Sequence, residues 1–377
     1  MVYLVTTESF PNGMAASQRL RGYAKGLAQL GQRCEVLCVN RLEDPAAPLG
    51  NAEPRGELEG YAFRYLGGST RRPAGDLARA FVRLADTRRL GVFLLTRCRR
   101  GDKVIVYSYS PALLKLVRRL AALVGFEAYL ELNEHPSIFF RGADPGDLSG
   151  FEGILCISTA LQRLVVESGV PAARVHLVNM LVDPARFEGL EKRPGTPYIG
   201  YCGAADNAKD GVDRLIRAFA AVAPKYPSLR LWIMGPKQPG SGNERLAAEL
   251  GVGDRVEFMG LVGAERLPQL LVDADALALA RPRSLQAEYG FPTKLGEYLL
   301  SGNPVVVTAV GDIPHFLTDG ESALLAAPDD DAAFAAKLDA ALGRADAAEV
   351  GARGRRVALD AFSLARVAGQ LKEALQL

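Results

Sequence analysis

The stretch 288–307, Glu-Tyr-Gly-Phe-Pro-Thr-Lys-Leu-Gly-Glu-Tyr-Leu-Leu-Ser-Gly-Asn-Pro-Val-Val-Val, gathers one lysine and two glutamates around the start of a helix. Gly290 and Pro292 interrupt whatever precedes them, and Thr293 is placed to cap the helix that opens there. The first turn of such a helix presents backbone N–H groups without intrahelical partners, which makes it a ready anion site. Lys294 adds a positive charge in that turn. Glu297 stands one turn further on, where a carboxylate can accept hydrogen bonds from two neighbouring sugar hydroxyls. With Phe291 and Pro292 leading in, the chemistry is that of holding a nucleotide diphosphate.

Other polar residues fall at comparable places. Gly13, in Phe10-Pro11-Asn12-Gly13-Met14, follows the first strand and would let the backbone come close to a phosphate or sugar. Lys209, in Ala208-Lys209-Asp210-Gly211, follows a later strand and can act as a mobile point charge on a diphosphate. Arg281 and Arg283 flank a proline after the apolar run Ala276-Leu277-Ala278-Leu279-Ala280. Asn133-Glu134-His135-Pro136 closes a strand, so Glu134 or His135 could orient a sugar hydroxyl or move a proton. His176 lies inside a strand and reads as structural. Asp273-Ala274-Asp275 has the form of a metal motif but precedes a strand, at the wrong end for a ligand, and no metal is expected. There is no GxGxxG fingerprint, and Val39-Asn40-Arg41 puts no acid at the end of the second strand. A dinucleotide-dependent dehydrogenase is therefore disfavoured.

Short apolar strands must position these groups. They are read at 2–6, 34–39, 61–66, 103–107, 127–132, 153–157 and 175–178, with helices at 15–30, 76–97, 111–124 and 158–168. A second alternation runs through 198–203, 229–234, 255–258, 276–280, 304–307 and 323–326, and 331–377 is helical. The pattern predicts an α/β protein of two Rossmann-like domains with parallel sheets, facing each other across a cleft. The charged, Pro- and Gly-rich run 190–197 is the linker candidate. The expected division is 1–190 for an acceptor-binding domain, 191–355 for a donor-binding domain, and 356–377 for a helix packing back on the first. A length of 377 residues with 49% apolar composition supports two cores. A net charge of +2 argues against a dedicated nucleic-acid binder. Five scattered cysteines form no CxxC pair and suit core packing in the cytoplasm. The chain opens directly on a strand, so no signal peptide is expected, and no apolar run approaches the roughly 20 residues of a membrane span.

These residues resemble the GT-B glycosyltransferases of the family-4 type. Lys209-Asp210-Gly211-Val212-Asp213, Arg255-Val256-Glu257-Phe258-Met259-Gly260 and above all Gly290-Phe291-Pro292-Thr293-Lys294-Leu295-Gly296-Glu297-Tyr298 carry the resemblance, and Asn179-Met180-Leu181-Val182-Asp183 resembles the family's run between domains. The resemblance implies sugar transfer from a UDP- or GDP-type nucleotide sugar, with retention at the anomeric carbon and no further cofactor. It assigns Glu297 to the donor ribose as the second Glu of the EX7E motif. Tyr289 stands in register with the first Glu, and Glu288 lies one position earlier. Ala204 stands where many relatives carry an arginine paired with Lys209, a charge that Arg281 or Lys294 could supply. The retaining mechanism implied is front-face, with the leaving phosphate taking the acceptor proton and no protein nucleophile.

The acceptor side is marked by charge. Arg71, Arg72, Arg79, Arg83, Arg88, Arg89, Arg97, Arg99 and Arg100 face only Asp76, Asp86 and Asp102, with Phe81, Leu84, Val92 and Leu95 interleaved. Such a surface in 71–119 attracts anionic lipid headgroups, pointing to a glycan or lipid-linked acceptor met at the inner face of a membrane. Two other readings share the architecture: a nucleotide-sugar 2-epimerase, which wants more acid–base groups than are found, and a non-catalytic sugar-binding protein.

Overall fold

In the computed structural model, which describes residues 1–43, 50–140 and 148–377, the apolar runs become strands buried on both faces. The chain divides into two units, Met1–Asn179 with Leu364–Leu377, and Met180–Ser363.

The first unit is built on eight strands, β1 (Val2–Thr6), β2 (Cys34–Cys38), β3 (Arg55–Leu58), β4 (Tyr61–Tyr65), β5 (Lys103–Tyr107), β6 (Glu127–Leu132), β7 (Gly153–Cys156) and β8 (Val175–Leu177). Their order is β3-β4-β2-β1-β5-β6-β7-β8, parallel except for β3 against β4. Every residue of β1, β2 and β5 is buried, as a sheet covered by helices on both faces requires. The edge strand β3 was not expected. Its sequence, Arg-Gly-Glu-Leu, is half exposed and carries no apolar alternation. The four buried cysteines of this unit sit in that packing, and burial raises the Cys34 thiol to about 12. A buried charge fixes its interior. On the helix Ala15–Gln29, Arg19 pairs with Glu131 of β6 at 2.6 Å and donates to the carbonyls of Val178 and Asn179, each at 2.8 Å. Tyr23 donates to the same carboxylate at 3.0 Å. The last helix, Leu364–Ala374, lies against Ala15–Gln29, close enough that a side chain at Gly26 would collide with Ala368.

The second unit carries six parallel strands, β9 (Tyr198–Cys202), β10 (Arg230–Met234), β11 (Val256–Gly260), β12 (Ala276–Leu279), β13 (Val305–Thr308) and β14 (Leu324–Ala326), in the order β11-β10-β9-β12-β13-β14. Counted within the unit this is 3-2-1-4-5-6, the doubly wound order whose ligand crevice lies where the winding reverses, between β9 and β12. The units divide at Asn179/Met180 and Ser363/Leu364, not at 190 and 355. Packing is the reason. Val182 donates its N–H to Phe362 O at 2.8 Å, and Met180 and Val182 press on Gly296. The run 190–197 is an exposed connection inside the second unit.

Candidate donor site

The switch point of the second unit is where its polar residues converge. From β9, the loop 203–206 leads to the short helix Asn207–Asp210, whose start is capped by the Asp206 side chain accepting from Lys209 N at 3.0 Å. The helix closes on Gly211, which adopts φ +65 and would meet the Ala280 carbonyl if it carried a side chain. The β9 and β12 loops therefore touch, and this brings Asp210 beside Arg281.

Asp210 is the centre of the cluster. Its side chain is 4% exposed and accepts from the Lys294 ammonium and, at 2.8 Å, from the Tyr201 hydroxyl. Arg281 Nε lies 3.7 Å from its other oxygen and donates to Lys209 O at 3.3 Å. The Lys294 ammonium also stands 4.7 Å above the Tyr201 ring. It fills the space a side chain at Gly203 (φ +143) would need. Burial works to raise the Asp210 pKa, but Lys294, Arg281 and Tyr201 together hold it below the ordinary aspartate value. Burial lowers the Lys294 pKa, against the pull of Asp210. Burial and the neighbouring carboxylate push the Tyr201 hydroxyl far up, so it remains a donor. Two cations share one carboxylate here, leaving net positive charge at the carboxyl ends of β9 and β12.

The helix Thr293–Leu300 opens beside this cluster. Pro292, in an extended conformation, holds the cap position, and no side chain caps the turn. Thr293 is therefore not the cap but the first helical residue. Proline has no side-chain acceptor to offer; its carbonyl accepts from Leu295 N at 3.0 Å, and no side chain competes with an anion at the first turn. Tyr298 secures the helix, its hydroxyl accepting from Cys202 N at 2.5 Å. Phe291 turns inward, its ring 5.7 Å from Phe316 and 5.4 Å from Phe362, so its side chain packs the turn. Glu297 pairs with Arg186, which also donates to Ala264 O at 3.0 Å. Lys209 is exposed on its short helix. Glu288 is exposed on a separate helix, Leu285–Tyr289, capped by Ser284.

Gly13, Glu134 and His135 belong to the first unit. Beyond β1, the space beside Gly13 is taken by the Ser17 hydroxyl, which donates to Ser9 O at 2.6 Å. Asn12 N donates to Asn51 Oδ1 at 2.8 Å, steadying the same loop. Beyond β6, His135 caps the short helix Pro136–Phe139, its Nδ1 accepting from Ser137 N at 3.3 Å. Glu134 precedes it, half-buried. Asp273 and Asp275 serve structure: Asp273 pairs with Arg193 at 2.6 Å, and Asp275 pairs with Lys192 at 2.8 Å and accepts from Tyr198 N at 2.8 Å. Among the described residues no three His, Cys, Asp or Glu side chains gather as a metal ion would need.

Asp210, Tyr201 and Arg186 were not among the residues expected to matter. Asp210 sits inside the quoted Lys209-Asp210-Gly211 run, but its role depends on which strands are neighbours. Arg186 sits in Pro184-Ala185-Arg186-Phe187, far in sequence from the glutamate it meets.

Residues 196–344 match the family described as Glycosyl transferases group 1. The MMP alpha-(1->4)-mannosyltransferase of Mycolicibacterium hassiacum is 30% identical over 58% of this chain and 52% of its own length. The D-inositol 3-phosphate glycosyltransferase of Nocardia farcinica is 35% identical over 43% of this chain and 36% of its own. The chain thus spans about half or less of these curated relatives. The sucrose-phosphate synthase structure from Thermosynechococcus elongatus has a TM-score of 0.75 at 18% identity, covering 100% of this chain and 98% of its own. Anabaena HepE in complex with UDP-glucose gives 0.72 at 15% identity, covering 100% and 99%. At such identities these structures establish the fold.

Proposed function

We propose, for a chain whose residues 196–344 form a group 1 glycosyltransferase domain within a GT-B fold, that it moves a sugar from a UDP- or GDP-type nucleotide sugar to a glycan or lipid-linked acceptor, with retention at the anomeric carbon. The observation that carries this reading is the Lys294–Asp210–Arg281 cluster beside an uncapped helix start at the switch point.

A diphosphate leaving group gains negative charge as the glycosidic bond breaks. Fixed cations and helix N–H groups that already surround it stabilise that charge without reorganising. Lys294 is held in place by Asp210 before any ligand arrives, and it supplies the charge that Ala204 does not. Lys209, exposed on its short helix, is the mobile second cation. Glu297 takes the ribose hydroxyls, exchanging its contact with Arg186 for them. Glu288, Glu134 and His135 are the candidate groups on the sugar and acceptor, and Gly13 would let the β1 loop approach a phosphate or sugar closely. The transfer takes place on the cytoplasmic side of a membrane, reached through the basic segment 71–119, with no metal required.

Nucleoside diphosphate release tests the reading. Lys294→Met should weaken donor binding about 10- to 100-fold, the value of one hydrogen bond between charged partners, measured by calorimetry with the preferred nucleotide sugar. A Lys294→Met enzyme with unchanged donor affinity and turnover would remove Lys294 from the site.

A further inference from the structure

The helix Asp76–Arg97 of the first unit buries only Asp86, Leu90, Gly91 and Leu94. All four lie between 86 and 94, and residues 76–85 contain no buried residue. Leu77 is 89% exposed, Phe81 72%, Leu84 52%, Val92 60% and Leu95 47%. Spacings of four and three residues put 77, 81, 84, 88, 92 and 95 on one stripe of the helix. Among the described residues of the unit, none covers that stripe.

Charge decides what can cover it. Arg88 lies within the stripe, and the acidic neighbours are already engaged: Asp86 is buried between Arg41 and Arg89, and Asp76 pairs with Arg79. At the carboxyl end of the helix, Phe93, Thr96 and Arg97 line a cavity of about 580 Å³ together with Arg33, Arg64 and Arg99. Arg64 is paired with Glu35 and stacks 5.5 Å from the Phe93 ring, while Asp102 is paired with the chain's amino group. Among the described residues, the side chains of Arg33, Arg97 and Arg99 form no ion pair or hydrogen bond. The cavity stands at the amino ends of β1, β2 and β5, the opposite end of the sheet from Gly13 and His135. A second copy of the chain would set Arg88 and its neighbours against like charge. A surface carrying phosphates outside and hydrocarbon within satisfies the arginines and the stripe together.

We propose that this face docks on an anionic phospholipid bilayer, with a headgroup phosphate in the Arg33–Arg97–Arg99 cavity and Leu77, Phe81, Leu84, Val92 and Leu95 entering the interface. The proposal rests on the reading that the acceptor is met at a membrane, and it narrows that reading to one helix face and one cavity. Co-sedimentation with vesicles of phosphatidylglycerol and phosphatidylcholine, against vesicles of phosphatidylcholine alone, tests it. The protein should sediment with the first and not the second. Arg33→Glu with Arg97→Glu should weaken binding at least tenfold, at about fivefold for each unit of charge. Phe81→Glu with Leu84→Glu should weaken it comparably, while Arg97→Lys should retain it. A donor-induced thermal shift equal to the parent's certifies that each variant is folded, and Leu77→Glu provides an independent single substitution at the most exposed position. Binding that survives both double substitutions overturns the proposal. So does saturation of the cavity by inorganic phosphate in a protein that stays off both vesicles, which would make it a site for free anions. A protein that binds vesicles as expected yet transfers no sugar would sink the transferase reading and leave this one standing.

Discussion

At the scale of single residues, Asp210 matters most, because it gives up its own charge to position another. A carboxylate that is 4% exposed and shared by Lys294 and Arg281 is tolerable only while its partners remain. Lys294→Met leaves Arg281 to balance it, whereas Asp210→Ala leaves two cations facing each other in a buried site. Asp210→Ala should therefore be the more destabilising, by about 3–5 kcal/mol, read as a difference in chemical-denaturation midpoint. Its pH dependence has a fixed sign. The folded-state pKa of Asp210 lies below that of the unfolded chain, so its contribution is fully present above the unfolded value of about 3.9 and is lost as pH falls through the lower folded value. Asp210→Asn should flatten that acid limb of the stability curve and leave neutral pH to report only the lost pairing. None of this is visible in the sequence, where Asp210 is one letter between a lysine and a glycine. Lys294 and Glu297 were legible because a glycine–proline break before an apolar helix is a local signal. Arg186 depends on a contact 111 residues away, Tyr201 on one across a strand end, and the inward turn of Phe291 on Phe316 and Phe362, both distant in sequence.

At the scale of elements, the β9 and β12 loops approach closely at Gly211 and Ala280, beside the Arg281 contacts with Lys209 O and Asp210. Gly211 at φ +65 has no room for a side chain against Ala280 O, so Gly211→Ala combines a strained conformation with a collision. A fall in stability of at least 1–3 kcal/mol, seen as a lower melting temperature, should come with loss of donor binding, because the same contact places Asp210. Gly13→Ala would collide with the Ser17 side chain and crowd Ser9 O, but in an ordinary backbone conformation, and should be milder. In the first unit, Arg19→Met would strand the buried Glu131 carboxylate and free the carbonyls of Val178 and Asn179, a loss on the scale of a broken buried pair. Periodicity disclosed these elements well, since strands buried on both faces write continuous apolar runs. It missed β3, whose four residues lie half exposed at a sheet edge and pair only with β4. It also took 190–197 for the boundary. A proline- and glycine-rich run marks a surface connection, and only the packing of Met180, Val182 and Phe362 shows on which side of the division that run lies.

At the scale of the whole molecule, two α/β units carry two kinds of charge. The second collects fixed cations at its switch point, suited to a diphosphate. The first carries exposed arginines along a helix face with exposed apolar residues, suited to a surface. Among the described residues no helix is long and apolar enough to cross a membrane. The second unit was the more legible half, because a glycine–proline break before an apolar helix is a local signal. The central claim is that the Lys294–Asp210–Arg281 cluster binds the diphosphate of a nucleotide sugar and drives its transfer. The most direct measurement is the release of nucleoside diphosphate from a panel of UDP- and GDP-sugars, with and without glycan or lipid-linked acceptors, in the parent protein and in Lys294→Met. Release of one diphosphate that requires an acceptor, and that falls at least tenfold in Lys294→Met, is the predicted result. Failure of every nucleotide sugar to bind, or turnover indifferent to the loss of Lys294, would contradict it.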